Sequence, residues 1–250
     1  MGRSNFMKIT KKNLLYNFIF RASANKKIRT YYHLLEPLFH SMSDNNMFLN
    51  LGYDDLSKKT IFSIVDTQKK MVEIVTRGFN KEGRWLDAGS GTGAPACYLA
   101  NSYPSINIEG INIVKTQIEK ANDLAKNKNC NDRVKFNYGN AQDIPYSDNH
   151  FENIYAIESA FHFEDKTKFI SESKRVLKQQ GQISIADIVI RPEYLKFRDW
   201  YKVSIAKHGL ATKEFYNKDK WVSLLTSTGF DNVEVEDITL NVSNVLPHWV

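Results

Sequence analysis

Cysteine is scarce in this chain: Cys97 and Cys130 are the only two among 250 residues, far apart and without the spacing of a metal site. A disulfide framework and a cysteine-based zinc site are therefore set aside, and a reducing, cytoplasmic compartment is the expected setting. No run of about 18 apolar residues occurs, so no membrane-spanning helix is expected. Internal repeats and low-complexity linkers are absent as well. Acidic residues are missing from the first 35 positions, which hold Arg3, Lys8, Lys11, Lys12, Arg21, Lys26, Lys27 and Arg29. That segment carries +8 and the whole chain +6, which leaves −2 for the rest. The basicity is local. With no aromatic–basic interleaving in the remainder and no Asn-Pro-Pro-Tyr-like stretch for a flipped base, a nucleic-acid substrate is not expected.

What is present is enough hydrophobic residue, 42% over 250 positions, for one sizeable core with an added lid. In the basic arm Leu14, Leu15, Phe18 and Ile19 fall on one helical face among lysines. That pattern suits an anionic lipid surface, a protein partner or the domain's own flank. A secretory signal fits poorly, because the apolar centre is short, interrupted by Asn17 and closed by Arg21. Phe6 stands where N-myristoylation prefers Ser or Thr.

The chain is organised around residues 84–94, R-W-L-D-A-G-S-G-T-G-A. A short apolar strand carries Asp87 near its end, runs into Gly89, Gly91 and Gly93, and gives way to a helix opening at Pro95. Glycines spaced by two let a backbone pass close to a ligand, the layout of a nucleotide-type site at the end of the first strand of a doubly wound sheet. Gly89, Gly91 and Ala94 also satisfy a looser dinucleotide pattern. Asp87 discriminates: its carboxylate repels a pyrophosphate and attracts the amino group and sulfonium of S-adenosylmethionine.

From Arg84 onward strands and helices alternate with short connections, which indicates an α/β fold with a parallel sheet. Strands are predicted at 84–88, 106–111, 133–138, 151–157, 181–190 and 232–238, and helices at about 94–102, 115–127, 165–178, 193–208 and 218–228. Helices at 28–40 and 56–77 precede them. The expected organisation is a basic arm (1–27), an N-terminal helical cap (28–80), a cofactor-binding core (81–190), an aromatic-rich cap insertion (191–230), and a C-terminal strand with a short tail (231–250). An insertion on the pocket side commonly shapes a substrate cavity. Asn112 stands about 20 residues after the glycines, where a ribose-binding side chain is expected, although it also reads as a polar strand-end cap. Asn140 and the Ala141 amide, after the third strand, can meet an adenine ring or merely turn the chain.

The ordered stretches N-L-G-Y (50–53), W-L-D-A-G-S-G-T-G (85–93), G-I-N-I-V-K-T-Q (110–117), G-N-A-Q-D-I-P-Y (139–146), A-I-E-S-A-F-H-F (156–163) and V-L-K-Q-Q-G-Q-I-S-I-A-D (176–187) resemble the class I S-adenosylmethionine-dependent methyltransferases. Within that class they are similar to the small-molecule branch of antibiotic sugar and macrolide O-methyltransferases and tocopherol-type C-methyltransferases. The resemblance implies a Rossmann-like doubly wound sheet and S-adenosyl-L-methionine as cofactor. It implies that Asp87, Gly89, Gly91 and Gly93 surround the methionine end, that Tyr53 closes over it, and that Asn112, Gln117, Asn140, Ala141 and Ala156 serve the rest of the cofactor. Asn140 stands where Asp is more usual. Relatives continue past 241–250 with a helix and a final antiparallel strand. Val245 to Val250 resembles the start of that helix, so the strand is expected to be missing.

Methyl transfer chiefly requires in-line positioning and exclusion of water, but a neutral hydroxyl acceptor benefits from a base. His162 resembles the catalytic histidine of the sugar and macrolide enzymes, although Phe161 stands where some of those carry a second histidine. Glu158, four residues earlier, can orient the imidazole if the segment is a helical turn, and Asp187 is a second candidate orienter. Three functions stay open at this point. The first is methyl transfer to a hydroxyl of a small, largely apolar metabolite. The second is methyl transfer to a lipid, quinone or prenyl acceptor at a membrane recruited by the basic arm, and the third is a catalytically inactive cofactor-binding partner protein.

Overall fold

The computed structural model describes residues 28–30, 32, 47–57, 63–196 and 199–249. Five strands form one parallel sheet in the order β3-β2-β1-β4-β5: β1 (Gly83–Ala88), β2 (Ile106–Asn112), β3 (Val134–Tyr138), β4 (Phe151–Ile157) and β5 (Leu177–Ala186). Strands buried on both faces read as continuous apolar runs, and β1 shows how the two faces are shared. Trp85 points into one core with Tyr155, whereas Leu86 and Ala88 point into the other with Ile154 and Ala156.

The first core is covered by α1 (Ile64–Thr76), α2 (Ala94–Ser102) and α3 (Lys115–Asn127), through Val72, Leu99, Ala121 and Ala125. The second is covered by α4 (Lys166–Val176), through Phe169 and Ile170, and by Trp221 of α6 (Lys218–Ser227). Between β5 and α6 stands α5 (Trp200–Gly209), which has no buried residue. Helices on both faces make the sheet doubly wound, and the strand order reverses between β1 and β4.

Several expected boundaries are corrected. Leu177 opens β5 directly after α4, because its side chain drops into the second core, and a register irregularity between Phe151 and Asn153 accommodates the early start. Residues 232–238 form no strand: they are mostly exposed, and among the described residues their Val233–Val235 alternation has no adjacent strand to pair with. The C-terminal helix begins earlier than expected, as α7 (Thr239–Val245), and continues as a 3-10 turn over Leu246–Trp249. Of the expected helix at 28–40, Ile28, Arg29, Thr30 and Tyr32 are helical and the rest lies outside the described residues, as does the arm at 1–27. The helix expected from Leu56 starts at Ile64, capped by the Ser63 hydroxyl, which accepts the Asp66 N–H. Among the described residues no helix is long and apolar enough to cross a membrane.

Candidate active site

The turn after β1 is fastened by its own backbone. The N–H groups of Gly89 and Ser90 both donate to Ile111 O, at 3.0 and 3.1 Å, and the Gly93 N–H donates to Ser90 O at 2.9 Å. Gly89 and Gly93 have φ of 86° and 82°, the left-handed region. A Cβ at Gly89 would stand 2.5 Å from Ser159 Cβ, and one at Gly93 2.5 Å from Phe136 Cζ. These two glycines are thus required by the protein's own packing, whatever else they serve. Gly89 and Gly91 both line the cleft.

That cleft opens at the carboxyl ends of β1 and β4, at the reversal of strand order. Asp87, Gly89, Ser90 and Gly91 line it from the end of β1 and the turn, Pro95 from α2, Ile157 and Glu158 from the end of β4 and just beyond, and Tyr32, Leu49 and Asn50 from the N-terminal side. Three of these residues hold buried polar atoms with no hydrogen-bond partner among the described residues: Asp87 Oδ2, Ser90 Oγ and Asn50 Nδ2. An unsatisfied buried polar atom costs roughly 1–3 kcal/mol, so three gathered in one cleft mark a place where a ligand completes the bonding. Burial pushes the Asp87 carboxyl up to about 7, against the easing effect of the Tyr155 hydroxyl. A carboxylate, a hydroxyl and an amide N–H2 fit the ammonium and carboxylate of the methionine end of S-adenosylmethionine. Pro95, in the first turn of α2, has no N–H to offer a pyrophosphate.

Asn112 ends β2 beside the turn. Its Nδ2 donates to Gln117 Oε1 at 2.8 Å and to Gly91 O at 3.3 Å, and its Oδ1 accepts the Val114 N–H at 3.2 Å. Both amide hydrogens are committed to the protein, so a ribose hydroxyl can be met only as a donor, at the remaining lone pair of Oδ1. Gln117 is fully buried behind it. Asn140 Oδ1 accepts the Gln142 N–H at 3.0 Å and so turns the chain after β3, with Ala141 buried next to it. Tyr53 does not join the lining: it packs partly buried against the first core. Ala156 is fully buried in the second core, and the following Ile157 and Glu158 face the cleft instead.

The expected Glu158–His162 pair does not form. Glu158 adopts φ 49°, outside any helix, and only Ala160–His162 make a 3-10 turn. The Glu158 carboxylate instead accepts the Leu51 N–H, 3.1 Å from each oxygen, and so holds the loop before α1. Burial lifts its pKa to about 8, opposed by that N–H and reinforced by the Asp187 carboxylate. Asp187 does not orient the imidazole either, since its Oδ1 accepts the Phe161 N–H at 2.8 Å. His162 is buried, and its Nε2 lies 3.1 Å from the hydroxyl of Tyr32, a cleft residue that the sequence does not single out. Burial, seconded by the Lys166 ammonium, pushes the His162 pKa down to about 3, so the ring is neutral throughout the physiological range. Asn50, Ser90 and Lys166 also escape the motif reading. Asn50 lies inside the N-L-G-Y stretch and Ser90 inside the glycine turn, so both are adjacent to a recognisable signal.

A family model described as a methyltransferase domain matches residues 79–234. The chain is 32% identical over 207 residues to the O-methyltransferase resE of Aspergillus sclerotiorum, covering 79% of this chain and 74% of that one. It is 28% identical over 221 residues to the methyltransferase GfsG of Streptomyces halstedii, covering 86% and 76%. Among solved structures it is similar to the geranyl diphosphate C-methyltransferase of Streptomyces coelicolor A3(2) in complex with Mg2+, geranyl diphosphate and S-adenosyl-L-homocysteine. There the TM-score is 0.77 at 16% identity, with 91% of this chain and 87% of that one covered. The chain belongs to the class I methyltransferase family. It is an S-adenosylmethionine-dependent methyltransferase.

Proposed function

We propose that this enzyme methylates a hydroxyl of a small, largely apolar metabolite. The observation that carries the reading is the adjacency of two features: the cleft with unsatisfied Asp87, Ser90 and Asn50, and the Tyr32–His162 contact at its edge. Relatives named as O-methyltransferases support a hydroxyl acceptor. S-adenosylmethionine supplies an electrophilic methyl group carried on a sulfonium. The chain's own work is to hold the amino-acid end of that cofactor, keep water out with Leu49, Ile157 and Pro95, and receive the hydroxyl proton at His162 Nε2 as the new C–O bond forms. Tyr32 occupies that nitrogen, so its hydroxyl must yield the position to the acceptor or relay the proton. A neutral imidazole is ready to accept at any physiological pH, but a group whose pKa is about 3 is a weak base. The expected effect of His162→Ala is therefore at the low end for a general base, a fall in kcat of ~10²-fold with cofactor affinity unchanged. Steady-state kinetics beside calorimetry check this; unchanged turnover removes His162 from the mechanism.

A second reading, an acceptor resident in an anionic membrane, is favoured by a specific surface. Helix α5 leaves Trp200, Tyr201 and Ile205 49%, 61% and 64% exposed. These apolar side chains share the helix with Lys202 and Lys207, a pairing of aromatic and cationic groups that suits an anionic interface, although Ser204 and His208 fall on the same face. Ile28 shares a buried cluster with Val114 and with Ala211, just past α5, and the 27 residues before it in sequence carry seven cations and no acid. Each cation near an anionic surface is worth about 1 kcal/mol. Co-sedimentation with phosphatidylserine vesicles is expected, and to be lost on deleting residues 1–27 or with Ile205→Glu. Binding insensitive to both changes contradicts this reading.

A further inference from the structure

Lys166 is the first residue of α4, where a cation opposes the helix dipole, and yet it is only 3% exposed. Its burial is made possible by three backbone carbonyls: Nζ donates to Phe161 O at 3.2 Å, to Phe163 O at 3.0 Å and to Glu214 O at 3.1 Å. An ammonium has three hydrogens to give, so the set is complete. The Tyr216 ring lies 5.2 Å from the same nitrogen, and the Thr212 hydroxyl lies within hydrogen-bonding distance of the carbonyls of Phe161 and Glu214, either of which can take its one hydrogen. Two of the three carbonyls belong to the turn that presents His162. The third belongs to the cap, 48 residues further along.

We propose that Lys166 is a positioning residue that clamps the 210–216 stretch of the cap onto the Phe161–Phe163 turn, so that His162 and the wall beside it are set as one unit. The proposal rests on the reading of the His162 side of the cleft as the acceptor end, but not on which acceptor is methylated. Asp187 holds the same turn from its other side through the Phe161 N–H. The turn is thus pinned at both its amide and its carbonyl. The charged groups facing Lys166 are Asp187 after β5 and Glu214, Lys213 and Lys220 of the cap. Its cationic charge also bears on His162, which it helps to keep neutral.

The test uses Lys166→Met and Lys166→Arg in the full chain, with S-adenosylhomocysteine affinity, hydrogen exchange of residues 208–218 and the NMR titration of the His162 imidazole as readouts. For Lys166→Met, cofactor affinity is expected to stay within about twofold while exchange over 208–218 rises at least ~10-fold, as local opening of an unclamped segment would give. The His162 titration moves upward in the same variant, since a nearby like charge has been removed. Lys166→Arg, which keeps the charge and several donors, restores both readouts toward the native chain. Should Lys166→Met not fold, Lys166→Arg decides: native protection of 208–218 supports the clamp, and free exchange there in a folded variant overturns it. A folded Lys166→Met with unchanged exchange and an unchanged His162 titration overturns it too. Loss of cofactor binding in Lys166→Met overturns the assignment of Lys166 to the acceptor side. A hydroxyl acceptor that proves wrong leaves all three readouts where they are.

Discussion

Asp87→Asn is expected to weaken S-adenosylhomocysteine binding by about 30- to 150-fold at pH 8, the ~2–3 kcal/mol of a hydrogen bond to a charged partner. The pH dependence is more specific than the loss. A carboxyl whose pKa is held at about 7 must ionise before it can pair with the ligand's ammonium, so native affinity should fall as pH drops below 7. By pH 6 it is weaker by about tenfold, and the Asp87→Asn variant loses that share of the limb. His162 cannot supply this limb, because its pKa lies near 3, whereas Glu158, raised to about 8 in the same cleft, can add to it, so the share of Asp87 is the part that Asp87→Asn removes. The same substitution has the opposite sign for folding. Because the folded-state pKa of Asp87 is raised from 3.8, its relative stabilisation is present below the ordinary carboxylate range and is lost as pH rises through about 7. Asp87→Asn is therefore more stable than the native chain at pH 8, by at most ~4 kcal/mol before any hydration of the cleft is allowed for, and the gap closes toward pH 4. Calorimetric titrations and urea midpoints at pH 6 and pH 8 check both signs. Native affinity that is flat between those values contradicts the account.

Gly93→Ala is expected to damage the fold itself. Gly93 caps α2 with φ 82° and ψ 1°, and the new Cβ would lie 2.5 Å from Phe136 Cζ and 2.9 Å from Ala121 Cβ. The left-handed backbone costs a non-glycine residue roughly 1–2 kcal/mol. Pressing a methyl group into the packed seam between α2, α3 and β3 adds about 1–3 kcal/mol. A loss of roughly 2–5 kcal/mol removes a large share of the ~5–15 kcal/mol of a typical domain. Gly91→Ala makes the contrast: with φ 52° it shares the left-handed cost, but among the described residues its Cβ would meet only Leu49, with Cδ1 at 3.1 Å, on the cleft side. Its urea midpoint should move less than that of Gly93→Ala, and its cofactor affinity should suffer. Equal midpoints for the native chain and Gly93→Ala would sink the packing argument.

The core of this fold is readable in the residues because its signals are local. Apolar runs such as Trp85–Ala88, the glycines behind Asp87 and the amphipathic stretch of α3 each encode their element within a few positions, and α3 spans 115–127 as the spacing predicts. What escapes the sequence depends on distant partners. Residues 232–238 alternate like a strand, yet among the described residues no neighbour offers them a ladder. Glu158 and His162 have helical spacing, yet φ 49° at Glu158, a conformation that no rule assigns to glutamate, swings its carboxylate to the Leu51 amide. Tyr32 reaches His162 across 130 positions, and Lys166 reaches Glu214 across 48, contacts that periodicity cannot foresee. Gly89 and Gly93 also answer to Ser159 and Phe136, packing partners that the glycine spacing alone does not reveal.

The account stands on Asp87 meeting the cationic end of the methyl donor at the lip of this turn. A crystal structure of the full chain with S-adenosylhomocysteine tests that directly. The expected result is the ligand's ammonium within hydrogen-bonding distance of Asp87 Oδ2, with its carboxylate toward Asn50 Nδ2. A ligand seated elsewhere, with Asp87 Oδ2 still unsatisfied, would contradict it.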